Sequence, residues 1–222
     1  MEDLSQHKNI RRNYELINKC LVELNYKQVN AFSELTKNDH KKIKNILNVI
    51  NNEVCAYDNW NFKLKRTTLT LPANTTEIKN TINGRISSLR IEKQEYWYFE
   101  RAEDYINKKA PSHTYSAFND NLLLPEFDEE KTIDIIYYTA DNAVDEEGLE
   151  KFCLENGTDQ SLIPAVFAEP ILVYGTCMRL KANPSHVKFS YWMSMYNSAL
   201  ANMRSKIAIS ADFTPSVKMH RR

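Results

Sequence analysis

The spacing of apolar residues indicates helices at the start of the chain. In residues 14–24, Tyr14, Ile17, Leu21 and Leu24 follow one another at intervals of three or four positions, and residues 43–57 carry a longer stripe of the same period. A break at residues 33–38 separates the two segments. The first 58 residues are therefore predicted to form two amphipathic helices, each with one face to bury.

From Trp60 the period of the apolar residues changes to two. Apolar and polar side chains alternate from Trp60 to Leu71, as they do in a half-buried strand. Further strand-like runs follow at residues 86–91, 122–124 and 133–137. Residues 95–107 fit either period, and we interpret them as a strand that leads into a short helix. This part of the chain is therefore predicted to be rich in β-structure.

Helical spacing returns after this β-rich part. A short acidic helix is predicted at residues 146–156, where Asn156 and Gly157 would end it, and longer helices are predicted at 164–180 and 187–207. In the last helix we interpret the large apolar residues as part of a core or a helix interface: Trp192, Met193, Met195, Tyr196 and Met203. We therefore predict an α+β fold, in which N- and C-terminal helices form a helical bundle with an inserted β-rich module. The predicted domains are a bundle of residues 1–58 and 143–208, an inserted module of residues 59–142, and an extended C-terminal arm of residues 209–222.

Composition argues against several classes of enzyme. Only 4 of the 222 residues are glycine, whereas phosphate-cradling loops need glycine where the backbone approaches the ligand. The chain has no G-x-S-x-G, H-E-x-x-H or G-K-[ST] motif, its four cysteines include no C-x-x-C pair, and its five histidines are scattered. We predict no enzymatic activity, no cofactor and no metal site.

Charge is distributed in blocks although the formal net charge is zero. Residues 119–160 carry 13 acidic and two basic side chains, whereas residues 161–222 carry eight basic and two acidic ones. An acidic block of this kind is often a solvated surface that keeps a protein soluble. It can also meet a basic surface on another copy of the same chain, because segregated charge makes a neutral chain self-complementary. On this second interpretation Asp128, Glu129 and Glu130 are candidates for a subunit interface.

An aromatic cluster at residues 96–99 is a second candidate. Tyr96, Trp97, Tyr98 and Phe99 lie among basic residues, and aromatic side chains of this kind can stack on the bases of a single-stranded nucleic acid. The neighbouring glutamates would repel phosphate, so we favour a strand with one aromatic face in the core and the other at a contact between subunits. Trp97, Phe99 and Arg101 are therefore further interface candidates, and a single-strand-binding module remains the alternative function.

The order of these features resembles the head-tail connector, or adaptor, family of short-tailed phages, the tail tubular protein A-like proteins. The landmarks are the early helix pair, the tryptophan-led strand Asp58-Asn59-Trp60-Asn61-Phe62, the step Leu69-Thr70-Leu71-Pro72, and the strand from Ile133 to Tyr138. Ile163-Pro164-Ala165-Val166-Phe167 then heads a helix with Gly175 and Thr176, and a last helix carries Tyr191, Tyr196 and Met203. The resemblance extends over residues 14–207 and rests on order and spacing.

The resemblance implies a virion structural protein of the neck or tail that forms an oligomeric ring, commonly of twelve copies. Such a ring joins the capsid portal protein to further tail or neck proteins and continues the DNA channel, through which DNA passes without sequence-specific binding. The expected location is the virion, with assembly in the host cytoplasm. No apolar run in the sequence reaches the length of a membrane span, so no membrane association is predicted.

The resemblance also gives a role to the basic residues near position 220. Family members often grip the portal with an extended C-terminal arm. Lys218, His220, Arg221 and Arg222 are therefore the predicted portal-docking residues. Residues 119–160, in the same setting, are expected to face either a basic surface of the neighbouring subunit or the channel lumen.

Overall fold

The fold is described from a computed structural model, which describes residues 12–107 and 109–207. Within these ranges it has the following α-helices: α1 (Asn13–Glu23), α2 (Asn38–Tyr57), α3 (Ala102–Ile106), α4 (Ala165–Leu180) and α5 (Phe189–Ile207). The longer strands are β1 (Leu64–Leu71), β3 (Gly84–Ile91), β4 (Gln94–Tyr98), β5 (Thr114–Phe118) and β7 (Lys131–Thr139). The shorter strands are β2 (Glu77–Lys79), β6 (Asn121–Leu123), β8 (Ala143–Val144), β9 (Glu150–Lys151) and β10 (Gln160–Ser161).

The strands form a large sheet and a small one. The large sheet has seven strands in the order β1-β7-β3-β4-β5-β6-β2, and the small one has the order β10-β8-β9. The predicted fold class, a helical bundle of N- and C-terminal helices with an inserted β-rich module, is therefore wrong, because the fold is a mixed α/β arrangement in which the large sheet is the main element. Three of the ten described strands also lie at residues 143–161, which the prediction assigned to the helical bundle.

The predicted helix at residues 146–156 illustrates the cause. Asp145 instead holds a tight turn, in which its carboxylate accepts hydrogen bonds from the backbone N–H groups of Glu147 and Leu149, at 3.0 and 2.9 Å. Gly148 completes this turn with a φ of +85°. The acidic run resembled the first turn of a helix, but its carboxylate caps a turn between two strands. The other secondary-structure predictions agree better, since the early helix pair, the strand at 133–137 and the strand-to-helix step at 95–107 are confirmed.

Contacts divide the chain into two compact units. The helical unit comprises the described residues of Met1–Phe62, Val144–Leu149 and Cys153–Arg222, and the sheet unit comprises those of Lys63–Ala143 and Glu150–Phe152.

The core of the sheet unit lies on one face of the large sheet. Alternate residues of β7 are buried there because successive side chains of a strand point to opposite faces. Strand β7 pairs with β1 on one side and β3 on the other, both antiparallel, so neither of its edges is free. The buried apolar cluster consists of Leu71, Leu89, Ile91, Tyr96, Tyr115, Leu122, Leu124, Ile133 and Ile135. Burial there raises the pKa of Tyr115 to about 12.

The helical unit buries the apolar stripes of α1, α2 and α4 and two tryptophans. Trp60 and Trp192 are fully buried, and the indole N–H of Trp60 donates to the carbonyl of Val54 at 2.7 Å. Buried amides then tie a loop to the helices. The Asn48 side chain bonds both backbone groups of Leu154, and the Ser161 hydroxyl lies 2.6 Å from the side-chain oxygen of Asn51. These polar contacts hold residues 154–161 in place, although their regular structure is limited to the two-residue strand β10.

Candidate functional site

The predicted aromatic interface residues are only partly exposed. Trp97 is 66% exposed, Phe99 is half-buried, and Arg101 is exposed and forms ion pairs with Glu103 and Asp104. These ion pairs hold the Arg101 guanidinium over the start of α3. Trp97 is thus the member of this group with the largest surface left for a partner.

The alternative use of this cluster, as a platform for bases, has weak geometric support. Tyr96 is buried in the sheet core, and Trp97 and Tyr98 are successive residues of β4, whose side chains therefore point to opposite faces. Tyr98 also packs edge-on against Tyr115, with ring centroids 5.5 Å apart. Stacking platforms need several aromatic rings on one face. The four-residue cluster does not provide one.

The predicted acidic interface residues are exposed. Asp128, Glu129 and Glu130 precede β7, and Glu129 lies 3.8 Å from the ammonium of Lys131, which also pairs with Glu92. Within the residues that the structure describes, no hydrogen bond or ion pair joins this group to Trp97, Phe99 or Arg101. The structure therefore shows no direct link between the two groups of predicted interface residues in the part of the chain that it describes.

Much of the acidic block at 119–160 is engaged within the protein. Glu150 forms an ion pair with Lys65, and Asp134 forms one with Arg66. Asp159 is fully buried and accepts hydrogen bonds from backbone N–H groups of Glu155 and Asn156. A count of acidic residues along the sequence therefore overstates the charge that this block can offer a partner. The predicted portal-docking residues Lys218, His220, Arg221 and Arg222 lie outside the described residues.

Helix α5 carries a surface that the sequence analysis interpreted as core. Its inner face is anchored by Trp192, whose indole N–H donates to the carboxylate of Glu23 at 3.1 Å and whose ring stacks on His186. Ala199 and Met203 are buried on the same side. The side chain of Tyr196 contacts α4 at Gly175, where a Cβ would lie 3.0 Å from the tyrosine ring. The inner face of α5 is thus fully committed to the helical unit.

Over residues 189–203 the opposite face of α5 is exposed and carries no charge, and the exposed Arg204 and Lys206 follow in the last turn. Tyr191, Met193 and Met195 are 50, 42 and 37% exposed. We define the uncharged α5 face as the exposed residues of 189–203: Ser190, Tyr191, Met193, Ser194, Met195, Asn197, Ser198, Ala201 and Asn202. Interfaces are enriched in Met and Tyr and depleted of Lys, Glu, Ser and Ala. The Tyr and Met residues and the lack of charge on this face are therefore features of an interface, whereas its three serines are not.

The hydroxyl of Tyr191 fixes one edge of this face. It lies 3.4 Å from the hydroxyl of Tyr174 on α4, and the two rings pack edge to face with centroids 5.6 Å apart. This hydrogen bond, together with burial, raises the pKa of Tyr174. The sequence signal that could have revealed the face is the charge-free run itself, because a solvated helix of this length normally carries charges on its outer side.

Within the described residues, no group of three or more His, Cys, Asp or Glu is placed to hold a metal ion. Cys20, Cys55 and Cys177 are buried, and burial raises the pKa of the Cys20 thiol, which keeps it protonated. In the same residues no helix combines the length and the hydropathy that crossing a membrane requires.

No protein-family model matches the chain, and no curated protein matches it significantly.

Proposed function

We propose that this protein is a virion structural protein that forms an oligomeric ring, connects the capsid portal to the tail and continues the DNA channel. It has no enzymatic role in this proposal. Its partners are other copies of itself, the portal protein and a further tail or neck protein. DNA passes through the ring without sequence-specific contacts.

The observation that carries this proposal is the uncharged α5 face. A surface of nine exposed residues without a charge, three of them Tyr or Met, can pack against another subunit without burying a charge. In a closed ring each copy contacts its neighbour through two different patches, so the α5 face needs a second patch elsewhere on the next copy. Trp97 offers exposed apolar area for that second patch.

The identity of the ring comes from the resemblance of the sequence to phage connector proteins. The landmarks of that resemblance include Trp60 and Met203, both of which are buried in the helical unit. In this proposal residues 119–160 face either a basic surface of the neighbouring subunit or the channel lumen. An acidic lumen repels the DNA phosphates and lets the duplex slide.

Charging the α5 face tests the proposal. The variant Ser194→Glu/Ala201→Glu places two carboxylates on the exposed side of the helix, where neither replaces a buried group. We expect subunit affinity to fall roughly 100-fold or more, because each copy would bury unpaired charge. Sedimentation velocity and negative-stain electron microscopy, with and without the portal protein, measure the loss of rings.

The matched control adds the same charge to another exposed helix surface. Asn45 and Ala56 are exposed on α2, and Asn45→Glu/Ala56→Glu should leave assembly unchanged. Both double variants should retain the thermal stability of the parent protein. A chain that stays monomeric with its portal, or rings that survive the charged α5 face, would overturn the proposal. A series of salt concentrations separates the two settings of the acidic block, since only an interfacial block makes assembly salt-dependent.

A further inference from the structure

A pocket in the sheet unit lies beside the end of the large sheet. Its volume is about 440 Å³, and its apolar lining comes from α3, the segment that follows α3, and the residues around the end of β6. Ile106, Leu123 and Leu124 contribute to this lining, while Glu77 and Glu126 are its carboxylates. No Lys or Arg of the described residues lines it. The pocket therefore suits an apolar group that has a positive charge close by.

The strand beside the pocket has a free edge. Strand β2 ends the sheet and pairs with β6 alone among the described strands. The carbonyl of Thr76 accepts from the N–H of Leu124, and the N–H of Asn80 donates to the carbonyl of Asp120, both at 2.8 Å. Since alternate residues of an antiparallel strand bond to the same neighbour, the backbone groups of Glu77 and Lys79 point away from β6. They are available to an added strand.

The sheet residues of the pocket lie on one face. Leu123 of β6 and Glu77 of β2 are cross-strand partners, so their side chains share the face on which the pocket lies. A side chain on the same face of a strand added next to β2 would therefore lie beside the pocket.

We propose that this pocket and the free edge of β2 bind residues 213–222 of a second copy of the chain. In this segment Val217, Met219 and Arg221 alternate with Lys218 and His220. In an extended strand Met219 and Arg221 lie on the same side, about 7 Å apart. Met219 then fills the apolar pocket, and the Arg221 guanidinium meets the carboxylates of Glu77 and Glu126. Strand addition of this kind supplies affinity through the main chain and specificity through the pocket.

The choice of a second copy rests on the proposed ring. A segment that reaches from one subunit into a pocket of the next is a heterologous contact, the type that a ring requires. A copy whose residues 213–222 lie in a neighbour's pocket does not offer them to the portal. The same experiment therefore decides between this inference and the predicted portal docking of Lys218, His220, Arg221 and Arg222.

Photo-crosslinking on the full chain locates the segment. Met219 is replaced by p-benzoylphenylalanine, and ¹⁵N-labelled and unlabelled copies are mixed before illumination. Mass spectrometry should find crosslinks from position 219 to residues 105–106 or 123–126, in peptides that join a heavy copy to a light one. Crosslinks within one copy would overturn the second-copy assignment, and crosslinks to other residues, or to the portal alone, would overturn the pocket assignment.

Binding of a fluorescent peptide of residues 208–222 to the full chain tests the pocket independently of ring formation. Ile106→Ser should weaken binding roughly tenfold, because Ile106 lines the pocket and is 61% exposed, so its loss leaves the fold intact. Phe118→Ser is the matched control, since Phe118 is an exposed apolar residue outside the pocket lining, and it should change nothing.

The carboxylates are tested in the same assay. Glu77→Gln/Glu126→Gln should weaken binding roughly 3- to 10-fold at low salt and much less at high salt. Equal affinities of all variants would overturn the inference. If the peptide binds in the pocket but the chain forms no ring, the pocket assignment stands and the ring proposal is wrong. The two proposals can therefore fail separately.

Discussion

The exposed face of α5 and the outer face of the large sheet are both open to solvent, yet they differ in charge. On the sheet, Arg66 pairs with Asp134 across β1 and β7, and the Arg85 guanidinium lies 5.1 Å from the Tyr138 ring. The exposed face of α5 has no charge over residues 189–203. Paired surface charges keep a face soluble and discourage contact between copies, whereas an uncharged face with Met and Tyr favours it. We therefore expect the charged part of this sheet face, on β1 and β7, to remain in solvent and the α5 face to meet a partner.

Removing the anchor of α5 should have the largest effect on stability. Trp192→Ala deletes a fully buried indole and its hydrogen bond to Glu23. We expect a loss of about 3–5 kcal/mol in the free energy of unfolding, measured by urea denaturation. Tyr191→Ala, one residue away on the exposed face, is the control and should cost less than about 1 kcal/mol. Similar losses for the two variants would mean that α5 does not have distinct inner and outer faces.

A methyl group at Gly84 should disturb the sheet nearly as strongly. Gly84 has a φ of +156°, and a Cβ there would lie 2.1 Å from the backbone oxygen of Tyr138, which cannot move without breaking the pairing of β3 with β7. We expect Gly84→Ala to cost roughly 2–4 kcal/mol in thermal or urea unfolding.

Gly148→Ala separates this steric clash from the cost of positive φ. Gly148 also has a positive φ, +85°, but no atom lies within 4 Å of the position that its Cβ would take. Its substitution should therefore cost only about 1 kcal/mol. If both alanine variants lose the same stability, backbone conformation alone explains the effect, and the close approach of β3 to β7 is not what requires Gly84.

These contrasts also show which features a sequence can reveal. Strand β7 was predictable because Ile133, Ile135 and Tyr137 recur at every second position, and α5 was predictable because its apolar residues keep a helical period. The pairing of β1 with β7 was not predictable, since it joins Leu71 to Lys131 across sixty positions and depends on register rather than on local pattern.

The outer surface of α5 was hidden for a different reason. Methionine and tyrosine at helical spacing usually belong to a core, so the sequence suggested burial for Met193 and Met195. Only the packing of Trp192 and Met203 shows which side of the helix is buried. The pocket beside β2 was similarly hidden, because its lining comes from segments that are brought together only when the sheet forms.

The smallest expected effect concerns the charged sheet face. Asp134→Asn removes the ion pair with Arg66, whose charged atoms are 3.1 Å apart and whose side chains are 41 and 71% exposed. Such a pair contributes less than about 1 kcal/mol in water, and salt screens it. We expect a small loss in urea denaturation at low salt, no difference from the parent chain at about 1 M salt, and an unchanged oligomeric state in sedimentation. A loss of ring assembly in Asp134→Asn would place the sheet face in the subunit contact and remove the distinction from α5, because a charge pair facing solvent has no partner to lose.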